Sequence, residues 1–421
     1  MVSNMNKLIV KGKNKLYGKV EVKSAKNALL PLIASCILLD FEVGFLNVPK
    51  LKDVDVMLEI IQCMGGKYRY EGDVLYVDCS SLHIPEIPCE QAKKIRASVF
   101  MLGPLLGRFH KVSTVKPGGC NLGERPIDLH LSTLSRLGAE VSSGDYVYLR
   151  ADKLKGTKIR LPFSSVGVTE NLIMASCVSE GETIILNSAK EPEIVCLANF
   201  LNRLGAKIRG AGTSVIRIEG VKKLKPNVSY FKPITDRIEV GTFLLCALNT
   251  GGEIEIEGAD FIHNGELIKK IHNNTCKIMV ESDKIYMKSC GVGKGLGYIK
   301  TAPYPGFPTD LQSLTLAYSC FLRGTTVIRE GIFKDRFQVV NELKKMGANI
   351  NITGDGAIVV GRFDIHGAEV EVPDLRGGAS LILAGLNADG ITTVNGASLI
   401  ERGYDNIDKK LRLLGADIKR G

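Results

Sequence analysis

The feature that most constrains the fold is a short phrase that recurs along the chain, each time after a helical pattern. The clear copies read MGGKY at 64–68, LGAEV at 137–141, LGAKI at 204–208, MGANI at 346–350 and LGADI at 414–418, and a degenerate copy reads TCKI at 275–278. Neighbouring copies lie about 70 residues apart, a longer period than that of typical solenoid repeats. The 421 residues are therefore predicted to contain six copies of one supersecondary unit.

Each copy predicts the same order of elements. A helix rich in small residues, such as SAKNALLPLIASCILL, precedes a β-branched strand such as ETIILN, and an amphipathic helix then ends at the glycine of the phrase. Glycine is the usual residue for a left-handed helix stop. A hairpin such as KIRGAGTSVIRIEG completes the unit. The predicted class is α/β (α+β), with about three units in each half of the chain.

The last unit is incomplete, because only KRG follows LGADI. The N-terminal segment KLIVKG is predicted to supply the missing strand, which assigns residues 1–22 to the C-terminal domain. The stretch KPNVSYFKPITD, with Pro226 and Pro233, is predicted to join the halves. The predicted domains are 23–233 and 1–22 with 234–421, each of three repeats, with the active site in the cleft between them.

Composition excludes several classes of protein. Hydrophobic residues make up 45% and charged residues 24%, which is typical of a globular protein without membrane spans. The longest apolar run, 28–39, is too short to span a bilayer, and the start MVSNMNKLIV lacks a secretory pattern, so a cytoplasmic protein is expected. The eleven cysteines form no CxxC pair and the six histidines show no metal-ligand spacing, so no metal site is expected.

Equivalent ends of the predicted units carry unlike charges. At or near the first helix of a unit stand Lys26-Asn27, Arg96, Ser165 to Gly167, Asp236-Arg237, Asp310 and Arg376; in the turn after the strand stand Lys50, Cys120 with Arg125, Glu191 with Glu193, Arg336 and Arg402. A repeated fold needs the same packing at these places, so differing charges indicate a ligand. Cations at helix N-termini favour anions, which the net charge of +10 also suits. A solvated basic surface remains the alternative for the net charge.

Ordered motifs along the whole chain resemble those of the UDP-N-acetylglucosamine enolpyruvyl transferases (1-carboxyvinyltransferases), within the EPSP synthase family. The motifs are SAKNALLPL at 24–32, NVPKLKDVD at 47–55, IRAS at 95–98, KPGGCNLGERPIDLH at 116–130, EPEIV at 191–195, DRIEVGTF at 236–243, TAPYPGFPTDLQ at 301–312, DRF at 335–337, DLR at 374–376 and ERGYDNI at 401–407. The resemblance implies an inverted α/β barrel in each of two domains.

The activity that the resemblance implies moves the enolpyruvyl group of phosphoenolpyruvate to the 3′-hydroxyl of UDP-N-acetylglucosamine and releases phosphate. The reaction is an addition–elimination through a tetrahedral ketal and is the first committed step of peptidoglycan synthesis. It implies two small-molecule substrates, no cofactor, no nucleic acid and no membrane. Its chemistry needs cations for phosphate and carboxylate, together with one acid and one base.

The resemblance also implies roles for particular residues. Cys120, in a glycine loop, matches the family's proton donor and the target of the antibiotic fosfomycin, and Asp310 matches a general base beside the sugar hydroxyl. Asp374 and Arg376 match a cluster thought to help in proton handling. The implied phosphoenolpyruvate contacts are Lys26, Asn27, Arg125 and Arg402; the implied UDP-N-acetylglucosamine contacts are Arg96, Arg125, Pro126, Ile127, Asp128, Leu129, Ser165, Val166, Gly167, Asp310 and Ile332. The alternative for Asp310 is a helix cap, and for Cys120 a loop thiol without a role.

Two other functions remain open on the sequence alone. An enolpyruvylshikimate-phosphate synthase uses the same chemistry on another acceptor, although its pattern is not expected to include GGC or TAPYPGFPTD. A basic nucleic-acid-binding scaffold is the non-enzymatic alternative. Against it stand the absence of tryptophan, the 6% of aromatic residues and the spread of basic residues through the repeats.

Overall fold

The computed structural model describes residues 6–118, 126–361 and 364–421, and they form two compact units. The first unit comprises the described residues from 24 to 234, and the second comprises 6–23 with the described residues from 235 to 421. Each unit has its own hydrophobic core. The chain therefore crosses from the second unit to the first near residue 23 and returns near residue 235.

The strands of the described residues are short and mostly of three to six residues. In chain order they are β1 Lys7–Lys11, β2 Tyr17–Glu21, β3 Glu42–Phe45, β4 Lys67–Glu71, β5 Val74–Asp78, β6 Lys111–Val115, β7 Glu140–Ser143, β8 Tyr146–Arg150, β9 Lys158–Arg160, β10 Glu182–Leu186, β11 Lys207–Arg209, β12 Val215–Glu219, β13 Tyr230–Phe231, β14 Glu253–Glu257, β15 Cys276–Glu281, β16 Lys284–Ser289, β17 Gly297–Lys300, β18 Gly324–Arg329, β19 Asn349–Thr353, β20 Gly356–Gly361, β21 Glu369–Glu371, β22 Ile391–Asn395 and β23 Asp417–Arg420.

The α-helices alternate with these strands. In chain order they are α1 Lys26–Ser35, α2 Lys52–Cys63, α3 Cys89–Lys94, α4 Leu102–Phe109, α5 Asp128–Arg136, α6 Val166–Ser176, α7 Pro192–Arg203, α8 Arg237–Thr250, α9 Gly265–Thr275, α10 Gln312–Ser319, α11 Val339–Lys345, α12 Leu375–Asn387, α13 Ala397–Ile400 and α14 Ile407–Leu413. Short 3₁₀ helices cover Cys36–Leu38, Arg96–Met101, Ile262–Asn264 and Thr309–Leu311. Both element types alternate along each unit, which confirms the α/β class.

Five sheets of the described residues share one strand order. The orders are β13-β3-β5-β4, β9-β10-β12-β11, β2-β14-β16-β15, β17-β18-β20-β19 and β21-β22-β1-β23. In each order, the first strand pairs parallel to the second, and the remaining pairs are antiparallel. The sheet β6-β8-β7 has three strands and an isolated parallel bridge between Glu86 and Ser113. That the six units are equivalent copies remains a prediction from the sequence.

The N-terminal strand β1 lies between β22 and β23 and pairs antiparallel with both. This is the pairing that the shortened last unit predicts for KLIVKG. The predicted linker KPNVSYFKPITD contains one strand that the sequence did not predict, because its residues Tyr230–Phe231 form β13 and pair parallel to β3. A two-residue strand is too short to give a periodic pattern.

The repeated glycines end helices as predicted. Gly65, Gly138, Gly205, Gly347 and Gly415 all have φ between 91° and 102°, which side chains rarely adopt. Each follows an amphipathic helix that packs one face on a core, whereas α1, α6, α8, α10 and α12 are buried over most of their length. Strands such as β8 and β12 alternate between buried and exposed residues. The helices therefore form the inside of each unit and the sheets cover them, as in an inverted α/β barrel.

Candidate active site

In the second unit, the carboxylate of Asp310 is held by two buried guanidinium groups. Asp310 Oδ1 lies 2.9 Å from Nη2 of Arg336, and its Oδ2 lies 3.0 Å from Nη2 and 3.3 Å from Nε of Arg376. Both arginine side chains are 2% exposed, while the Asp310 side chain is 25% exposed. Buried guanidinium groups stabilise the ionised carboxylate, so Asp310 is a charged group that solvent can reach.

The helix-cap interpretation of Asp310 is wrong. Asp310 lies inside the 3₁₀ helix Thr309–Leu311, and neither that helix nor α10 receives a side-chain cap hydrogen bond. The Thr309 hydroxyl instead donates to the carboxylate of Glu330, 3.0 Å from both oxygens. Charge explains the difference, because an ion pair with two guanidinium groups outweighs hydrogen bonds from backbone amides.

Asp374 does cap a helix. Its Oδ1 accepts hydrogen bonds from the backbone N–H groups of Arg376 at 2.9 Å and Gly377 at 3.1 Å, at the start of α12. This cap fixes the first turn of the helix that carries Arg376. The structure therefore gives Asp374 a structural role, and its predicted part in proton handling stays a prediction. Asp236 caps α8 in the same way, so Asp310 differs from two aspartates that open neighbouring helices.

Arg376 has a second set of neighbours. Its guanidinium lies over the ring of Tyr404, with the carbon 5.1 Å from the ring centroid. Burial alone would lower the pKa of Arg376, but the charges of Tyr404, Asp310 and Asp236 raise it above its ordinary value. Within the described residues, Nη1 of Arg376 and Nε of Arg336 are buried and have no hydrogen-bond acceptor. Each is therefore an N–H donor beside Asp310 that the protein leaves unsatisfied.

Two other predicted residues of the second unit lie on turns. Arg402 is half-buried in the turn after α13, and its backbone N–H donates to the carbonyl of Leu399. Ile332 is 40% exposed, and its backbone N–H donates to Oε1 of Glu330 at 2.8 Å. Glu330 therefore ties the turn of Ile332 to Thr309, the residue before Asp310.

In the first unit, Lys26 is the first residue of α1 and is buried. Its Nζ lies 3.0 Å from Oδ2 of Asp53 on α2, and Asn27 beside it is half-buried. The ammonium group is paired with a carboxylate that is itself buried. A buried cation of this kind suits a phosphate or carboxylate ligand, as predicted for Lys26.

The predicted nucleotide-sugar residues occupy three segments of the first unit. Arg96 opens the 3₁₀ helix Arg96–Met101, and its Nη2 donates to the carbonyl of Pro126 at 3.1 Å. Ile127 precedes α5, which begins at Asp128 and continues through Leu129, and Ser165, Val166 and Gly167 form the start of α6. The structure therefore brings Arg96 to the segment that begins at Pro126. Cys120 and Arg125 lie outside the described residues.

The remaining cysteines contrast with the prediction for Cys120. Seven of those in the described residues are buried. Burial raises the pKa of Cys177, Cys246 and Cys320 to about 12, which makes these thiols poor nucleophiles. They act as small hydrophobic residues, as the sequence predicts.

Sequence reasoning missed a neutral network in the first unit. The side chain of Asn171, on α6, bonds to Gly103, Val99 and His130 and is fully buried. It also missed Glu170, which neighbours Glu191 and Glu193; burial, followed by the charges of Glu193 and Glu191, raises the pKa of Glu170 well above its ordinary value. The pattern VGVTENLIMAS contains the clue, because its Glu-Asn pair interrupts an otherwise small and apolar helix.

The described part of the chain contains no group of three or more His, Cys, Asp or Glu side chains arranged to hold a metal ion. None of the helices found there combines the length and the apolar composition needed to cross a bilayer.

Known proteins resemble this chain over nearly its whole length. A family model described as EPSP synthase (3-phosphoshikimate 1-carboxyvinyltransferase) matches residues 10–411. The chain is 45% identical to UDP-N-acetylglucosamine 1-carboxyvinyltransferase 2 of Carboxydothermus hydrogenoformans, covering 99% of each. It is 46% identical to the Clostridium tetani protein of the same name, covering 99% of this chain and all of the other (100%).

Two solved structures share the fold. The enolpyruvyl transferase NikO from Streptomyces tendae superposes with a TM-score of 0.89 at 23% identity, covering 98% of both chains. The EPSP synthase from Acinetobacter baumannii superposes with a TM-score of 0.77 at 19% identity, covering 98% of this chain and 99% of the other. At these identities the two structures show that the fold is shared, and they do not identify the substrate of this chain.

Proposed function

The chain belongs to the EPSP synthase family, and we propose that it transfers the enolpyruvyl group of phosphoenolpyruvate to the 3′-hydroxyl of UDP-N-acetylglucosamine. The observation that carries this choice of acceptor is the full-length likeness, at 45% and 46% identity, to relatives named for that reaction. In the cell the reaction would begin peptidoglycan synthesis. It would take place in the cytoplasm, since both substrates are too highly charged to cross a membrane unaided.

The geometry of Asp310 supports its role as the base. In the addition step the sugar oxygen forms a bond to C2 of phosphoenolpyruvate, its proton passes to Asp310, and C3 receives a proton. The side chain of Asp310 is partly exposed and ionised between Arg336 and Arg376, so it can accept a proton from a bound hydroxyl. The same guanidinium groups lose a carboxylate charge when Asp310 is protonated, which leaves them freer to stabilise the anionic substrate.

The elimination step reverses the proton flow. A proton leaves C3, the bond between C2 and the bridging oxygen breaks, and inorganic phosphate departs with that oxygen. The hydroxyl proton taken up in the first step balances the charge on the departing phosphate. Lys26, Arg125 and Arg402 are assigned to the phosphate and carboxylate groups, and Cys120 is assigned as the proton donor at C3. Of these, Lys26 is the best supported, because its buried ammonium is paired with Asp53.

The nucleotide sugar is assigned to three segments of the first unit. These are the start of the 3₁₀ helix at Arg96, the segment Pro126–Leu129 and the start of α6 at Ser165–Gly167, joined in the second unit by Asp310 and Ile332. The bond from the Arg96 guanidinium to the carbonyl of Pro126 supports the first two assignments, since it ties the side chain of Arg96 to the backbone of that segment.

A phosphate-release assay with two acceptors tests the proposal. The purified protein is incubated with phosphoenolpyruvate and either UDP-N-acetylglucosamine or shikimate 3-phosphate. We expect stoichiometric phosphate release with the nucleotide sugar alone. Release with shikimate 3-phosphate alone would assign the chain to the other branch of its family, and release with neither would refute enolpyruvyl transfer to both acceptors.

A further inference from the structure

The amide of Asn171 joins three separate segments of the first unit. Its Oδ1 accepts a hydrogen bond from the backbone N–H of Gly103 at 2.7 Å. Its Nδ2 donates to the carbonyl of Val99 at 2.9 Å and lies 2.9 Å from Nδ1 of His130. Asn171 is 0% exposed, so none of these bonds is exchanged for water in the folded protein.

The backbone fixes which way this amide points. The N–H of Gly103 can only donate and the carbonyl of Val99 can only accept, so the oxygen of Asn171 must face Gly103 and its nitrogen must face Val99. The nitrogen of Asn171 then donates to His130, whose Nδ1 must accept and carry no proton. A neutral His130 consequently carries its proton on Nε2.

Two glycines allow the segments to approach this closely. A Cβ at Gly103 would lie 2.5 Å from the backbone oxygen of Asn171, and a Cβ at Gly167 would lie 3.0 Å from Phe100 and 3.2 Å from His130. A larger residue at Gly103 would push α4 away from α6, and one at Gly167 would push α6 away from the 3₁₀ helix and α5. The segments around Asn171 are therefore tightly packed.

Each segment that this network joins carries residues assigned to the nucleotide sugar. Val99 lies in the 3₁₀ helix that begins at Arg96, and His130 directly follows the assigned run that ends at Leu129. Asn171 itself lies one turn after Gly167 on α6. None of the four network residues is among those assigned to the substrate.

We propose that Asn171 is a positioning residue for the acceptor substrate, holding the segments of Arg96, Pro126–Leu129 and Ser165–Gly167 in one arrangement. The inference rests on the proposed function, because it takes UDP-N-acetylglucosamine as the ligand of these segments. Asn171 touches none of the reacting atoms, so its loss weakens binding of the nucleotide sugar and leaves the chemical step intact at saturating substrate.

Steady-state kinetics of Asn171→Asp and Asn171→Leu test the proposal. Aspartate keeps the acceptor for Gly103 but loses both donors, and leucine loses all three bonds at similar volume. We expect the KM for UDP-N-acetylglucosamine to rise about tenfold or more, with kcat and the KM for phosphoenolpyruvate changed less than about threefold. The control is Asn202→Asp. The amide of Asn202, near the end of α7, bonds to both the backbone N–H and the carbonyl of Ile208, and its replacement should change neither KM.

The outcomes of these assays distinguish failure of the proposed function from failure of the positioning role. A wild-type protein that does not use UDP-N-acetylglucosamine refutes the proposed function. An active wild-type protein with an unchanged KM in Asn171→Asp, or with kcat falling as much as the KM rises, refutes the positioning role alone.

Nuclear magnetic resonance of the wild-type protein gives an independent test that needs no variant. Nitrogen-15 shifts of His130 at pH 8 should show Nδ1 unprotonated and Nε2 protonated, and the signals should move when UDP-N-acetylglucosamine is added. A proton on Nδ1, or His130 signals that do not shift when the nucleotide sugar is added, would overturn the inference even if both variants failed to fold.

Discussion

Two acidic side chains of this protein lie in opposite electrostatic surroundings. Asp310 in the second unit faces the guanidinium groups of Arg336 and Arg376 at 2.9 and 3.0 Å. Glu170 in the first unit is 1% exposed, neighbours Glu191 and Glu193, and neither of its carboxylate oxygens has a hydrogen-bond partner within the described residues. One carboxylate is stabilised in its charged form, while the other is stabilised in its protonated form.

The difference shows how the same functional group serves different purposes. Asp310 combines charge with 25% exposure, so it is suited to exchange a proton with a bound substrate. Glu170 combines burial with like charges, and both raise its pKa, so its protonated form is favoured. Surroundings, rather than residue type, separate a candidate base from a structural acid.

Asp310→Asn should have the largest effect, because it removes the group that accepts the hydroxyl proton. Turnover should fall by about 10²–10⁴, while the nucleotide sugar still binds in calorimetry. The control is Asp355→Asn, which breaks an exposed pair with Arg329 and should leave turnover unchanged. Retention of more than about half of wild-type turnover by Asp310→Asn would mean that Asp310 is not the base.

Arg376→Lys should have an intermediate effect. Lysine keeps the charge but cannot supply Nε and Nη2 to Asp310 together, nor the remaining Nη1 donor to a ligand. We expect kcat/KM for phosphoenolpyruvate to fall about 10- to 100-fold in initial-rate assays. Arg412→Lys is the matched control, since Arg412 is 46% exposed and pairs with Asp408 on the same helix. Equal losses in the two variants would show that the geometry at Asp310 does not matter.

Glu170→Gln should have the smallest effect and should be visible in stability. The pKa of Glu170 is raised in the folded state, so its contribution to stability is complete below the unfolded value of about 4.3 and is lost as the pH rises through the folded value. The free energy of unfolding in urea should therefore fall less steeply with rising pH in Glu170→Gln than in wild type. Glu182→Gln, at an exposed position, should follow the wild-type curve. Parallel curves for all three proteins would contradict a raised pKa at Glu170.

The same contrast explains what the sequence could predict. Phrases such as LGADI are local, so they predicted helix stops, hairpins and the pairing of β1 with β22 and β23. Asp310 and Arg376 were also predicted as candidate ligand residues, because charges at matched ends of repeated units stand out in a linear pattern. Their mutual ion pair was not predicted, since it joins residues 66 positions apart.

The hydrogen-bond network of Asn171 and the raised pKa of Glu170 could not be predicted from local sequence patterns. Asn171 meets Val99 and His130 across 72 and 41 positions, and hydrogen bonds between neutral groups leave no charge pattern in the sequence. The pKa of Glu170 depends on the burial of α6 and on the approach of α7, which carries Glu193. Such properties arise only when the units pack.

Isotope tracing of the bridging oxygen of phosphoenolpyruvate tests the central claim of enolpyruvyl transfer most directly. The substrate is labelled with heavy oxygen between C2 and phosphorus, and turnover with UDP-N-acetylglucosamine is followed by mass spectrometry of both products. Transfer of the enolpyruvyl group breaks the bond between C2 and that oxygen, so the label is predicted to leave in inorganic phosphate while the nucleotide sugar gains an unlabelled enolpyruvyl group. Label retained on the three-carbon product, as cleavage between oxygen and phosphorus would give, would contradict the account.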